Sequence, residues 1–499
     1  MPDSLLVLAP LRIERLALGD PAGSSVLRTG MGPDRARIAA ARALAHGAPA
    51  LAVAGLCAGV DPSLRAGDVL CASELVGEDG ARTAVPGSPL LAAALRRRGL
   101  RVHVGALAST TRMLGPAERR ERAGSALAVD MESAWLAAGA AGRPLAVVRV
   151  VADAAGRSLA DPRMTIAGPR ALRSLRRTSG ALAEWAAAVG PRTLLLAGPR
   201  SFCAGVERAI DIVELVLAQR GAPVYVRKQI VHNEHVVNDL EARGAVFVDE
   251  LDAVPDGATV VFSAHGVSPA VRADAASRRL GVIDATCPLV SKVHAEARRF
   301  ATEGRTIFLI GHEAHEEVEG TRGEAADAIC VVEDVEAAAR VEADDPERVG
   351  YLTQTTLAVD ETDEIVARLR ERFPALRGPA SEDICYATSN RQNAVRAVAR
   401  ESDVVLVAGS ESSSNSKRLV EVARREGARA YLVDDETDVD VAWLAGATTV
   451  GITAGASAPE RIVHRLVAAL AALGPVDVEE RTQTVESLRF RLPRELTTA

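Results

Sequence analysis

From Thr193 almost to the end of the chain one pattern recurs: a short apolar run, a loop of Gly, Ser, Thr or His, then a stretch of helical periodicity. The runs read TLLLAGPR, PVYVR, AVFVD, TVVFSAHG, GVIDATCP, RTIFLIGH, RVGYLTQTT, DVVLVAGS, RAYLVDD and TTVGITAGAS. Strands alternating with helices specify an α/β fold, and there are too many of them here for a small domain. Open parallel sheets bind ligands at the carboxyl ends of their strands, where this chain gathers its polar and sulfur-bearing residues. The N-terminal part alternates in the same way: SLLVLAP as a strand, SSVLRTGMG as a strand into a glycine turn, PDRARIAAARALAHG as a helix, ALAVAGLCAG as a buried strand. The helical stretch GRSLADPRMTIAGPRALRSLRRTSGALAEWAAAVGPR breaks at Gly190-Pro191, which predicts two domains, residues 1–190 and 191–499. A length of 499 residues also favours more than one core.

Composition narrows the class. A 48% hydrophobic and 25% charged chain is that of a globular protein. The net charge of −7, without a long basic run, argues against nucleic acid or anionic lipid as the main partner. No apolar run reaches the length of a membrane span, and the opening MPDSLLVLAPLRIERLALGD has no basic n-region, so the expectation is a cytoplasmic protein. Six widely spaced cysteines suit reduced thiols or metal ligands better than a disulfide framework.

Three of those cysteines directly precede a helical stretch: Cys203 in SFCAGVERAIDIVEL, Cys287 in DATCPLVSKVHAEARRF and Cys385 in DICYATSNRQNAVRAVAR. A helix N-terminus favours a thiolate through its unpaired N–H groups and its dipole. Three unrelated buried cysteines would be the plainer reading, but a shared metal site accounts for the recurrence. Zinc normally shows close cysteine pairs and four ligands, which are missing. Three thiolates on an iron–sulfur cubane would leave one iron open as a Lewis acid. Cys330 sits inside an apolar run and reads as core; Cys57 and Cys71 receive no role. Seven of the nine histidines fall in this half, several in loops after strands (IVHNEHVV, FSAHGVS, IGHEAHEEVEGT), where His315 and Glu317 form a candidate proton-delivery pair. The hydroxyl-rich loops YLTQTTLAVD, GSESSSNSKRL and TAGASAPE read either as turn and cap chemistry or as a phosphate site built on helix N-termini.

These segments, taken in order with YVRKQIVHN and DICYATSNRQ, resemble the 4-hydroxy-3-methylbut-2-enyl diphosphate reductase family from about Thr193 to Leu496. The resemblance implies a trefoil of three α/β units around a [4Fe–4S] cluster on Cys203, Cys287 and Cys385. It implies an allylic diphosphate substrate held by His232, His265, His315, Ser413, Ser414, Asn415 and Ser457, with its hydroxyl on the fourth iron. Glu317 would supply a proton and Thr355, beside Gln354, would relay it; a ferredoxin or flavodoxin would supply electrons. The chain departs from the family pattern at Ser201, where Gly is usual, and at Glu316, where Pro is usual. The first departure strains the turn if φ is positive there, and the second would loosen the loop that holds Glu317. The alternative is a cluster-containing redox sensor or scaffold in which the first domain is the only active part.

In the first domain RTGMGPDRA, AGLCAGVDPSLRAGDVL, AVDMESAWLA and VVRVVADAAG resemble, in that order, segments of the nucleoside phosphorylase and nucleosidase superfamily. The resemblance implies that Glu132 binds ribose hydroxyls, that Asp153 protonates a purine leaving group, and that Gly30 and Gly32 approach phosphate or ribose. Hydrolytic members carry a water-activating carboxylate near the first strand; LAPLRIERL offers Glu14 as a loose match, which turns the expectation toward a phosphorylase, one acting on an adenosylated isoprenoid lipid giving the fusion metabolic sense. A degenerate domain kept for stability or oligomerisation is the rival.

Overall fold

The computed structural model describes residues 3–155 and 164–497, so the stretch from Gly156 to Arg163 of the predicted helical segment lies outside it. The chain divides into two compact units. One comprises Met1–Leu194, Asp434–Val450 and His464–Val478, the other Leu195–Val433, Gly451–Val463 and Glu479–Ala499. The division is therefore not a single cut after residue 190, because two later segments group with the first unit.

In the first unit eight strands form one mixed sheet. Five of them close into a ring: Ala50–Gly59 pairs with Ala128–Asp130, then Val102–Ser109, Val69–Val76 and Leu145–Asp153, which pairs back with Ala50–Gly59. Closure explains the near-continuous apolar sequence of the strands Ala50–Gly59 and Leu145–Asp153, whose Leu51, Val53, Val147 and Val151 are fully buried. Strands Leu5–Ala9 and Ser24–Arg28 extend the sheet in parallel from Ala50–Gly59. A bulge at Cys57/Ala58 shifts the register at the end of the central strand, where the cavity described below opens.

Beyond the first sheet the chain forms three more, two of them wholly within the second unit and a third whose strands Arg192–Gly198, Thr449–Ala454 and Val476–Thr482 begin at its boundaries. Val224–Arg227, Ala245–Val248, Thr259–Phe262 and Gly281–Asp284 form a four-stranded parallel sheet. Thr306–Ile310, flanked by Ile329–Val332 and Val349–Thr353, forms a three-stranded parallel one. The third is ordered Arg429–Val433, Val404–Ala408, Thr449–Ala454, Arg192–Gly198, Val476–Thr482. Their strands are short and Val/Ile-rich, as expected where helices cover both faces. Cys330 lies in Ile329–Val332, half-buried against an apolar cluster with Phe308 and Val349. Among the described residues no helix is long and apolar enough to cross a membrane.

Candidate active site

Five helix N-termini converge on one cavity of the second unit, and their capping residues line it. Cys203 precedes Ala204–Arg220, Cys287 precedes Pro288–Thr302 and Cys385 precedes Tyr386–Ala399; His315 precedes Glu316–Gly323 and Ser413 precedes Ser414–Arg425. Four of these helices directly follow a strand, so the alternation in sequence delivers their capping residues; the Cys385 loop instead follows the helix Val359–Arg372.

The three thiols share the cavity, Cys203 lying within electrostatic reach of both Cys287 and Cys385. Burial pushes the Cys287 thiol up to about 12 and Cys385 up to about 11. The expectation that helix N-termini alone would favour thiolates is thus corrected for these two: desolvation exceeds the dipole. A cationic centre among the sulfurs reverses that balance, because a bound metal deprotonates a coordinating thiol. Space for such a centre is kept by Gly205, where a Cβ would fall 2.7 Å from Cys287 Sγ and 3.8 Å from Cys203 Sγ. Thr388, which sequence reasoning passed over, places its N–H and Oγ1 at 3.4 and 3.1 Å from Cys385 Sγ; its signal was its place three residues after a capping cysteine. Three soft donors around a glycine-cleared space fit iron–sulfur ligation.

Beside the thiols sits a buried acid. Glu317 accepts from the Thr355 backbone N–H (3.0 Å), and Thr355 Oγ1 stands 2.9 and 3.1 Å from its two carboxyl oxygens. Burial raises the Glu317 carboxyl above its ordinary range, against the opposing pull of His265 and Thr355. Burial therefore favours the protonated form of an acid at the cavity wall that has a hydroxyl next to it. Gln354 braces the cavity wall from behind: its Nε2 donates to Thr356 Oγ1 and to Ser414 Oγ, both of residues that line the cavity, and its Oε1 accepts from the His312 N–H.

The other end of the cavity carries the imidazoles and hydroxyls. His232 stacks on His265 with centroids 4.1 Å apart, and His315 meets both edge-on. Burial, with the charges of neighbouring histidines, drives His232 down to about 2 and His315 to about 3. His315 Nδ1 accepts from the Glu317 N–H, which leaves its Nε2 as the donor. Asn415 is buried with neither amide atom bonded to the protein, and Ser413, Ser414 and Ser457 line the same wall. Lys417, not singled out from sequence, acts electrostatically on His232 and His315 from the first turn of its helix. Glu316 stands 2.8 Å from His265 Nδ1, and although burial opposes it, His265, His315 and Lys228 hold its carboxyl below the usual range. The loop that proline would have stiffened is tied down by this pair instead. His232, His265 and Glu316 bring ligand atoms within 4.8 Å of one another. The two rings are only 19° from parallel, however, so their in-plane lone pairs run side by side and share no centre for one cation. Adjacent parallel donors suit two oxygens of one phosphate.

Ser201, two residues before the first cysteine, has φ of 60°, so the position does require the left-handed conformation. Its Oγ donates to Glu460 Oε2 at 2.5 Å, and its carbonyl accepts from the fully buried Arg391 at 2.7 Å.

The first unit has its own cavity, lined by Glu14, Met31, Leu56, Cys57, Met113, Arg119, Asp130, Glu132 and Asp153 among others. The sequence signal for Glu14 was weak, yet it is one of the most buried acids there: it accepts from the N–H of Leu11 (2.6 Å) and Leu56 (2.7 Å), and burial raises it. Gly55 permits this, since a Cβ there would fall 2.7 Å from Glu14 Oε1. Arg149, absent from the sequence reading, is completely buried, 2.7 Å from Asp130 and 3.7 Å from Glu132. Burial also raises Glu132 and Asp153, and Asp153 is paired with Arg119. Gly32, at φ of 93°, donates its N–H to Glu132 Oε1 at 3.0 Å. Gly30, at φ of 86°, packs over the Arg35 side chain and does not line the cavity.

α/β layers that deliver three capping thiols, a buried acid and a wall of imidazoles and hydroxyls to one cavity define an α/β enzyme. The chain belongs to the LytB protein family, whose model matches residues 194–471. Residues 22–178 match the phosphorylase superfamily. The 4-hydroxy-3-methylbut-2-enyl diphosphate reductase of Leifsonia xyli subsp. xyli is 58% identical over 308 residues, covering 62% of this chain and 91% of that protein. The reductase of the same name from Stenotrophomonas maltophilia is 55% identical, covering 61% and 98%. The structure of the E-1-hydroxy-2-methyl-but-2-enyl-4-diphosphate reductase from Plasmodium falciparum matches at 37% identity and a TM-score of 0.59, covering 62% of this chain and 98% of that one.

Proposed function

We propose that the second unit catalyses the reaction for which its relatives are named, reductive dehydroxylation of 4-hydroxy-3-methylbut-2-enyl diphosphate to isopentenyl and dimethylallyl diphosphates. The balance is two electrons and two protons taken up and one water released. The observation that carries it is the buried Glu317, 2.9 Å from Thr355 Oγ1, in the cavity that the three thiols line. On this reading the three sheets form the trefoil, and Cys203, Cys287 and Cys385 hold a [4Fe–4S] cluster. When bound, the cluster supplies the electrons, delivered from a ferredoxin or flavodoxin, and an open iron for the substrate hydroxyl. The protein's own groups do the rest. His232, His265, His315 and the amide of Asn415, with Ser413, Ser414 and Ser457, bind the diphosphate at the N-terminus of Ser414–Arg425. Glu317 holds the proton that leaves with the hydroxyl, and Thr355 Oγ1 passes it into the cavity. The cluster-loaded chain, given a chemical reductant and the allylic diphosphate under anaerobic conditions, tests this. Glu317→Gln with full iron content should lose turnover by at least a hundredfold; near-normal turnover removes Glu317 as the acid.

For the first unit a specific observation favours cleavage of a purine nucleoside by water. Glu14, Glu132 and Asp153 line one cavity, and the two buried arginines nearest them among the described residues, Arg149 and Arg119, each stand against a carboxylate. Adenine release without added phosphate, abolished in Glu14→Gln, is the expected result. Release that depends on phosphate would restore the phosphorylase reading.

A further inference from the structure

A second cavity of the first unit, away from Glu14 and Glu132, is walled by five arginines: Arg65, Arg101, Arg170, Arg173 and Arg177. Arg170, Arg173 and Arg177 follow one another on one face of the helix Met164–Ala187, a like-charged row that costs stability unless something answers it. The single carboxylate there, Asp68, is buried and already spent: it accepts from the Arg65 N–H at 3.0 Å and pairs with Arg101 at 3.4 Å and His103 at 3.1 Å. Among the described residues the guanidinium groups of Arg65, Arg170 and Arg173 have no carboxylate partner. The wall is shaped for these side chains. Gly67 and Gly99 line it at φ of 91° and 71°, and a Cβ at Gly67 would fall 2.9 Å from Arg170 Cγ, one at Gly99 3.3 Å from Arg177 Nη2. Arg177 is further fixed by donating to the Arg98 carbonyl, and Arg101 by donating to the Ser63 carbonyl.

We propose that this cavity binds the diphosphate group of a small ligand. The argument is one of charge and shape. Five guanidinium groups and one neutralised carboxylate call for an anion of several charges, and the planar forks of arginine match phosphate oxygens in pairs. The site is a concave pocket of about 300 Å³ and not a stripe, which fits a compact anion and not a nucleic-acid backbone. It is independent of the diphosphate site proposed for the second unit.

Calorimetric titration of the cluster-loaded full chain with inorganic diphosphate, with isopentenyl diphosphate and with ADP tests it. Two sites per chain are expected for at least one of these ligands, and the ligand that fills both tells free from organic diphosphate. Arg170→Ala/Arg173→Ala should weaken one site at least tenfold and leave the other unchanged, while Asn415→Ala should do the reverse. The arginine site should also weaken more steeply with salt. Unchanged two-site binding in a folded Arg170→Ala/Arg173→Ala chain overturns the proposal, as does a single site that only Asn415→Ala removes. A parent chain that shows only the arginine-dependent site would instead count against the reductase reading. Binding of long RNA with no small-ligand binding would also overturn it.

Discussion

Ser201 allows a quantitative test of how the loop before the first thiol is held. A non-glycine residue in the left-handed region costs about 1–2 kcal/mol. Replacing Ser201 with glycine recovers that, but gives back about 0.5–1 kcal/mol in unfolded-chain entropy. It also removes the 2.5 Å hydrogen bond to Glu460. Glu460 is 38% exposed and keeps Arg200 as a partner, so that bond is worth about 1 kcal/mol and not the larger value of a buried charged pair. The contributions nearly cancel, and Ser201→Gly should lie within about 1 kcal/mol of the parent. Glu460→Ala, which leaves the backbone cost in place and removes its compensation, should destabilise by about 1–2 kcal/mol. In Ser201→Gly/Glu460→Ala the two should couple by about 1 kcal/mol. The assay is urea unfolding with separate reporters, since the chain is not a single two-state unit. All three tryptophans lie in the first unit and all four tyrosines in the second, so the tyrosine signal isolates the relevant transition. A coupling energy of zero, or a Ser201→Gly chain stabilised by the full left-handed cost, would refute the compensation.

Three further outcomes follow from the geometry. Gly205→Ala puts a methyl 2.7 Å from Cys287 Sγ and should lower iron and sulfide content severely while far-UV circular dichroism stays unchanged; normal iron content would show that the space among the thiols is not needed. Because burial raises the Glu317 carboxyl, its proton is retained below the raised pKa and lost above it, so turnover should fall as pH rises through that value and the fall should vanish in Glu317→Gln. Glu316→Pro frees the His265 ring and should raise KM for the allylic diphosphate about tenfold with kcat little altered, from a charge-assisted bond of roughly 1.5 kcal/mol; an unchanged KM removes Glu316 as an orienting group.

The sequence carried the second unit unusually far, and the reason is physical. A strand, a loop and a helix N-cap are consecutive in the chain at Cys203 and Cys287, and at Cys385 a loop leads from the helix Val359–Arg372 to the next N-cap, so all three could be read as capping residues without knowing how the sheets are arranged. Glu317 and Thr355 were legible singly, but their 2.9 Å contact joins residues 38 apart and belongs to tertiary structure. Glu316 misled, because the loss of a proline says only that φ is freed and says nothing of a histidine across the cavity that takes its place as an anchor. In the first unit Glu14, Asp130, Glu132 and Arg149 come from distant parts of the chain and meet only when the strand ring closes. No local spacing announces a fully buried arginine surrounded by three acids.

The five converging helix N-termini explain how a chain of net charge −7 can bias the cavity of the second unit toward anions although neither lysine nor arginine lines it. Each terminus contributes about 0.3–1 kcal/mol toward a negative group, and up to about 2 kcal/mol where it is partly buried. At about +0.5 charge each, the five together supply a fixed positive field to which Lys417 adds. The same device serves two chemistries at once. His315 and Ser413 turn their termini toward the imidazole and hydroxyl wall, while the three cysteines turn theirs toward the sulfurs. For the sulfurs the dipoles alone fall short, since Cys287 and Cys385 remain pushed up to about 12 and about 11 by burial. The cavity is therefore biased toward anions but not committed to three thiolates until positive charge is bound among them, which makes ionisation of the site and its loading one coupled event.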